Sequence, residues 1–429
     1  MVSGMTSVRR RIALESDPVT ESYLERSIDA LIPRLFAELP ALLIVGPRAS
    51  GKTTTATRHA RTVVRLDTVA EATAFRADPD SALRGLAEPI LLDEWQAVPG
   101  VLGAVKRSVD EDPRPGRFLL TGSVRADLDA QTWPGTGRLV RIPLFGMTVR
   151  EELGRTRAPT FLDVISGGGR PAEPDDPPDL RGYVTLALRS GFPEPLLRLS
   201  AATREPWLES YVDQLLTRDV ELVEGRRDPA RLGRYFEALS LNTAGVVADA
   251  TLRQAAGIAR DTATGYDRLL RNLLVTEAMP AWTTNRLKRL ARTPKRYVVD
   301  AALAAATLRV GENAVMRDGD LLGRLIETFT TAQLRAEIPV TAARPRLFHL
   351  RQEHGRHEVD IVAELGGGSV VALEIKADAG PDRSAARHLA WMRDQLGDRF
   401  VAGVVLHTGP RVYGLGERLT AAPIASIWS

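Results

Sequence analysis

The sequence predicts an α/β protein in three parts: a parallel-sheet domain at the amino end, a helical middle, and a second α/β domain at the carboxyl end. Three observations carry this. An apolar run, Leu42 to Val45, stops at a glycine-bounded loop that leads into a helix. Between about 181 and 310 apolar residues recur at helical spacing. Beyond about 318 a long helical stretch precedes three short runs with the alternation and spacing of hairpin strands.

The 429 residues, 44% of them hydrophobic, are enough for about three domains with cores of their own. A formal net charge of +3 leaves any attraction for nucleic acid to local patches. The chain has no cysteine, which excludes disulfides and thiolate metal sites and fits a reducing cytoplasm, where the protein is expected. No apolar run approaches the roughly 18 residues of a membrane span, so no membrane partner is expected. Arg9 to Arg11 have no hydrophobic stretch behind them, which argues against a signal peptide. Only five of the 57 basic residues are lysine (52, 106, 288, 295 and 376). In so arginine-rich a chain, a lysine marks a place where a compact point charge is wanted instead of a planar fork. Lys52 and Lys376 fall in the motifs below; Lys106 and Lys288 read as remnants of coding bias.

Residues 1–20 are polar and uncapped and are expected to be disordered. Leu24, Ile28, Leu31, Leu35 and Leu39 predict a helix over 22–39 leading into the first strand. Gly46, Pro47, Arg48, Ala49, Ser50, Gly51, Lys52 and Thr53 then fit GxxxxGK[ST] at every fixed position, and Thr54 continues into the helix. Such a loop turns its backbone amides around phosphate oxygens, with the positive end of the helix aimed at the same place. Lys52 would reach the β and γ phosphates, and Thr53 would ligate Mg²⁺.

A strand over 63–67 and a helix opened by Asp78, Pro79 and Asp80 follow. The next apolar run ends in Asp93 and Glu94, at the carboxyl end of a buried strand where open α/β sheets place their ligand crevice. Asp93 would hold Mg²⁺ through water and Glu94 would polarise the attacking water. A third strand, 118–123, ends in Thr121 and Ser123, either of which could sense the γ phosphate. Arg138, ahead of a strand over 139–144, is an arginine-finger candidate or a surface arginine.

The series YLER (23–26), GPRASGKTT (46–54), LLDEWQAVPGVLGAVKRSVDE (91–111) and FLLTGS (118–123) resembles the prokaryotic AAA-type ATP-binding proteins that carry a C-terminal domain of unknown function. The resemblance continues through GFPEP (191–195), YVDQLLTRDV (211–220), PKRYVVDAALA (294–304), EVDIV (358–362) and LEIKA (373–377), nearly the whole chain. It implies an AAA-type parallel sheet, ATP with Mg²⁺ as ligand, and a homo-oligomer, since in such proteins a finger of the kind Arg138 could supply often acts across a subunit boundary; whether Arg138 acts within its own chain or across a boundary is left open by the sequence. Trp95 departs from the usual small aliphatic residue, and the Gly- and Pro-rich stretch 154–180 reads as an insertion or mobile loop.

In the middle, Leu208, Val212, Leu215, Leu216 and Val220 share one helix face, and Arg218 and Asp219 read as an ion pair. Residues 229–280 have the form of a winged helix-turn-helix, with Leu252 to Ala256 on one helix, Gly257 to Asp261 as the turn and Thr262 to Leu274 as the second helix. If it reads DNA, Arg260, Thr262, Thr264 and Arg268 face the groove; otherwise it is a connector. The basic run 286–296 fits a phosphate-tracking edge or a solvated face.

In the last third, a helix from Leu321 to Ile338 contains Glu327, and strands follow over 347–352, 357–362 and 369–376. Period-two alternation puts Glu374 and Lys376 on one strand face, opposite Val371, Leu373 and Ile375, where Asp360 and Glu327 can converge with them. This set resembles PD-(D/E)XK restriction-endonuclease-like folds. The resemblance implies that Glu327, Asp360 and Glu374 hold Mg²⁺ or Mn²⁺ and that Lys376 orients a metal-activated water. The alternative is a cross-face ion pair in a fold kept as a binding module. His349, His354 and His357 read as structural. The expected division is a tail over 1–20, an ATPase domain over 21–150, a loop insertion and helical linker over 151–228, a winged-helix-like unit over 229–310, and a nuclease-like domain over 318–429. Two functions fit: ATP turnover controlling a DNA-acting nuclease, or an ATP-dependent switch whose nuclease-like domain is inactive.

Overall fold

Five parallel strands form the amino-terminal sheet in the computed structural model, which describes residues 23–123, 137–219, 228–289, 292–352 and 356–429. They are β1 (Ala41–Val45), β2 (Thr62–Arg65), β3 (Ile90–Asp93), β4 (Phe118–Gly122) and β5 (Val140–Pro143), in the order β2-β3-β4-β1-β5. Successive residues point to opposite faces, and both faces are covered. Leu43, Leu92 and Leu120 pack with Val101 and Val105 on one side, Leu42, Leu91 and Leu119 with Ile28 and Ile32 on the other. Burial on both sides explains why the three central strands β1, β3 and β4 read as apolar runs. Because β4 lies between β1 and β3, the carboxyl ends of all three open side by side.

The helix expected over 22–39 is broken into a turn at Ser27–Asp29 and a helix at Leu31–Phe36. The Asp29 carboxylate accepts the Arg26 amide at 2.7 Å, closing the first turn before the second helix starts. Asp78 caps the helix Pro79–Leu83 as its sequence predicts.

The stretch 154–180 is not simply a loop. It contains the helix Phe161–Ser166, capped by Thr160, with Phe161, Leu162 and Ile165 buried. The Gly- and Pro-rich segment is only the exit from this packed turn. Helices at Leu180–Arg189, Ala201–Gln214, Pro229–Leu241, Asp249–Ala256 and Arg260–Asn272 follow. Val220 and the side chains of Arg218 and Asp219 lie outside the described residues. An antiparallel pair, β6 (Thr276–Met279) and β7 (Lys295–Val298), completes the middle, and the helix Ala301–Leu308 follows it.

The carboxyl part is a six-stranded mixed sheet: β8 (Arg346–Gln352), β9 (His357–Glu364), β10 (Val370–Ile375), β11 (Phe400–His407), β12 (Tyr413–Gly416) and β13 (Leu419–Pro423), ordered β12-β13-β11-β10-β9-β8. The helix Gly319–Glu337 covers one face through Leu325 and Ile326, against Ile361, Leu373 and Val404. The helix Arg387–Leu396 covers the other through Leu389 and Met392, against Val362, Val370 and Val405. The first of these cores does not stop at the sheet. It runs unbroken from Val149 through Tyr183, Phe236 and Leu270 to Leu373 and Trp428.

Candidate functional site

The loop after β1 needs its glycines. A Cβ on Gly46 would meet the Leu144 carbonyl oxygen at 1.9 Å, and Gly51 has a φ of 89°. The loop turns into the helix Lys52–Thr57, whose first side chain is buried. Lys52 Nζ donates to the Pro47 carbonyl at 2.9 Å. Burial lowers its pKa to about 8, with Glu94 and Asp93 pulling the other way.

At the end of β3, Asp93 Oδ1 accepts the Thr53 hydroxyl at 2.8 Å and also that of Thr121. Burial raises the Asp93 pKa above the usual carboxylate value. A hydroxyl and a carboxylate in contact beside a phosphate loop are the hard-oxygen donor set that suits Mg²⁺, so the residues fit that ion. Glu94 adopts a left-handed backbone, φ 52°, which turns it off the strand. Its carboxylate accepts from Ser123 at 3.0 Å and from the Gln96 amide, and its own amide donates to Thr121 at 3.1 Å. Thr121 and Ser123, expected to sense the γ phosphate, thus spend their hydroxyls on the two acids. Within the loop, Ser50 is buried with its hydroxyl unpartnered, whereas Arg48 is half-buried and Ala49 and Thr54 are exposed.

Arg138 does not come to this loop in its own chain. It precedes β5, at the amino end of a strand parallel to β1, whereas the loop follows the carboxyl end of β1. Its half-exposed side chain pairs with Asp110 at 2.7 Å. The arginine that touches the loop is Arg26, which the residue pattern alone did not single out. Its Nη1 donates to the Ser50 carbonyl at 2.9 Å, Nη2 to the Phe145 carbonyl at 2.8 Å, and Nε lies 3.2 Å from Glu151. Tyr211, from the helical middle, donates to the Arg48 carbonyl at 3.2 Å.

The second constellation also converges, but around a lysine. Lys295, from β7, places Nζ 2.5 Å from Glu327 and 2.9 Å from Asp360, with its side chain 3% exposed. Tyr297 donates to Glu327 at 2.7 Å, and the Ile375 amide to the second oxygen of Asp360 at 2.9 Å. Glu374 pairs with Lys376 at 2.7 Å, while its Oε2 is buried without a partner. The Lys295 charge holds Asp360 below the usual carboxylate range. Burial and the Asp360 charge push Glu374 up to about 8, and burial pushes Glu327 up to about 7.

Among the described residues no group of three or more His, Asp or Glu side chains is placed to hold a metal ion. The expectation that Glu327, Asp360 and Glu374 ligate Mg²⁺ or Mn²⁺, with Lys376 orienting a metal-bound water, therefore gives way to an ion-pair cluster. The signal for Lys295 was present in the rarity of lysine.

Three basic residues of the run 286–296 also turn inward, while Arg292 is exposed. Arg289 pairs with Glu364, Arg296 with Asp249 and Asp267, and Lys295 is buried. Arg260, Thr264 and Arg268 are exposed on the helix Arg260–Asn272, with Thr262 half-buried. His349 is buried, its pKa lowered to about 4, and His357 stacks on Trp391 at 4.1 Å; His354 lies outside the described residues. No helix among the described residues is long and apolar enough to cross a membrane.

This fold and loop define an AAA-type P-loop domain, and residues 38–153 match a family model described as an AAA domain. Residues 180–314 and 322–427 match two families described as domains of unknown function, DUF8612 and DUF4143. Over 408 residues the chain is 28% identical to an uncharacterized protein of Mycobacterium tuberculosis and equally to one of Mycobacterium bovis, covering 94% of this chain and 84% of each of those. A solved structure, the Walker-type ATPase PABY2304 of Pyrococcus abyssi, aligns at a TM-score of 0.41 and 13% identity, over 68% of this chain and 98% of that one.

Proposed function

We propose that the chain is an ATP-driven molecular switch: its AAA-type domain binds and hydrolyses ATP, and the carboxyl part, a nuclease-like fold that does not cleave, docks or assembles in response. The observation that carries this reading is the contact between Thr53 and Asp93, with Glu94 held beside them by Ser123 and Gln96. In it the loop amides and Lys52 bind and orient the β and γ phosphates, and Asp93 and Thr53 hold Mg²⁺. That ion, when bound, neutralises charge on the phosphate oxygens. Glu94 accepts a proton from the attacking water as charge develops on the γ phosphate, and Ser123 and Gln96 fix the direction of its carboxylate.

The Lys295 cluster favours the switch over a metal-dependent nuclease, since its acids already have a counter-ion. In this reading the three helices over 229–272 and the β6–β7 pair act as a winged-helix-like connector, and the protein works in the cytoplasm as an ATP-dependent homo-oligomer. DNA contact through Arg260 and Arg268 is a narrower form of the same proposal.

The test is steady-state ATP turnover with nucleotide binding measured alongside. Lys52→Ala is expected to lose binding, and Glu94→Gln to bind ATP while turning it over about 10²–10⁴-fold more slowly. An unchanged rate in Glu94→Gln would remove the assigned base. Light scattering with and without ATP tests assembly, and a monomer in both conditions would remove that part. Incubation with labelled DNA in Mg²⁺ or Mn²⁺ is expected to give no cleavage; cleavage abolished by Asp360→Ala would restore the nuclease reading.

A further inference from the structure

The carboxyl-terminal acids lie on three separate elements: Glu327 on the helix Gly319–Glu337, Asp360 on β9 and Glu374 on β10. The group that joins the first two comes from a fourth. Lys295 reaches in from β7, and its ammonium touches one oxygen of each acid, at 2.5 and 2.9 Å. Mg²⁺ binds carboxylate oxygen at about 2.0–2.1 Å and Ca²⁺ at about 2.3–2.6 Å, so a divalent ion shared by these oxygens would need the volume that Nζ fills.

We infer that Lys295 is the resident cation of this cluster: it takes the place a divalent metal would need between Glu327 and Asp360, and its removal is what would turn the cluster into a metal site.

Three observations support this. Four of the six carboxylate oxygens are engaged: Asp360 Oδ1 by Lys295 and Oδ2 by the Ile375 amide, Glu327 Oε1 by Tyr297 and Lys295, and Glu374 Oε1 by Lys376. The buried oxygen left without a partner is Glu374 Oε2, and the two oxygens not engaged are far short of the six that a hard divalent ion collects. The charges already come close to balance, because two ammonium groups face three carboxylates and the burial of Glu374 favours its neutral form. Finally, the residue type suits the role. A compact ammonium fits between two carboxylates where the wide planar fork of arginine would not, and this chain otherwise uses arginine almost everywhere.

The inference goes beyond the ATP reading and does not depend on it, since no atom of the phosphate loop takes part. The experiment is Mn²⁺ binding to the nucleotide-free full chain, followed by titration calorimetry and by the paramagnetic signal of free Mn²⁺. Wild type is expected to show no Mn²⁺ binding that Asp360→Asn removes. Lys295→Met is expected to bind one Mn²⁺ at least tenfold more tightly than wild type and to melt at a higher temperature when Mn²⁺ is added. Both gains should vanish in Lys295→Met/Asp360→Asn. Stoichiometric Mn²⁺ on wild type that is lost in Asp360→Asn would overturn the inference, and so would a folded Lys295→Met that gains nothing. If Lys295→Met does not fold, the comparison of wild type with Asp360→Asn still decides. Failure here leaves nucleotide binding by wild type and its loss in Lys52→Ala untouched, so the two readings are separable.

Discussion

Arg150 and Glu337 form a buried ion pair, Nε to Oε1 at 2.5 Å, with both side chains 3% exposed. Arg150 lies on the short helix Val149–Glu152 just past the amino-terminal sheet, and Glu337 ends the helix that covers the carboxyl sheet. The residue next to Arg150 is Glu151, which receives Arg26, and Arg26 holds the phosphate loop at Ser50. Two buried ion pairs, joined through the peptide bond between Arg150 and Glu151, therefore link the arginine that holds the loop to the carboxyl half.

Removing one partner of such a pair strands the other in the interior. Arg150→Met is expected to destabilise the protein by about 3–5 kcal/mol in chemical denaturation, and Arg150→Met/Glu337→Leu to recover most of that loss. A double variant as unstable as the single one would mean that packing and the Arg150 bonds to the Pro159 and Ile427 carbonyls, not the charge left on Glu337, account for the effect.

Arg26→Ala removes two donors from loop and neighbouring carbonyls. With charged hydrogen bonds worth about 1.5–3 kcal/mol, ATP affinity is expected to fall by about ten- to a hundredfold, as read by titration calorimetry. Gly46→Ala should abolish binding outright, because its methyl group collides with the Leu144 carbonyl, which is fixed in the sheet layer.

Burial lowers the Lys52 pKa to about 8, and a bound triphosphate would raise it. ATP binding around pH 8 is thus expected to take up protons, seen as a dependence of the binding heat on buffer ionisation enthalpy. Affinity should decline as pH rises past 8. Measured without nucleotide, the same shift makes stability rise with pH between about 8 and 10.5, since the unfolded chain holds the extra proton there.

Glu374 carries the opposite sign. Its folded pKa, near 8, is above the unfolded value, so its contribution is fully present below about pH 4.5 and is lost as pH rises through 8. Glu374→Gln should flatten the fall in stability across that window in urea titrations at a series of pH values. An unchanged slope would show that the carboxyl group is ionised throughout.

The amino-terminal half was legible because its signals are local. A strand buried on both faces must be an apolar run, and a loop that wraps phosphate must place glycine where a Cβ collides, as at Gly46. The shared face of Glu374 and Lys376 was legible from strand alternation, with Asp360 and Glu327 expected to reach it from the neighbouring strand and the helix. What converges with them was not, because Lys295 is 65 residues from Asp360 and belongs to a different sheet. Arg26 was hidden for the same reason: its partners at Phe145 and Glu151 are more than a hundred residues away. The helix at Phe161–Ser166 was masked by the glycines and prolines just after it.

The unbroken core from Val149 to Trp428 bears on how this molecule can be taken apart. A fragment beginning near residue 318 would carry the carboxyl sheet and the helix Gly319–Glu337 but lose the helices Leu180–Arg189 and Ala301–Leu308 that pack against that helix, and the surface so bared invites aggregation. Separation is better attempted between the strand β5 and Val149, so that everything downstream folds together. Even there the cut parts Arg26 from Glu151, and each half would need a substitute for the charge it loses.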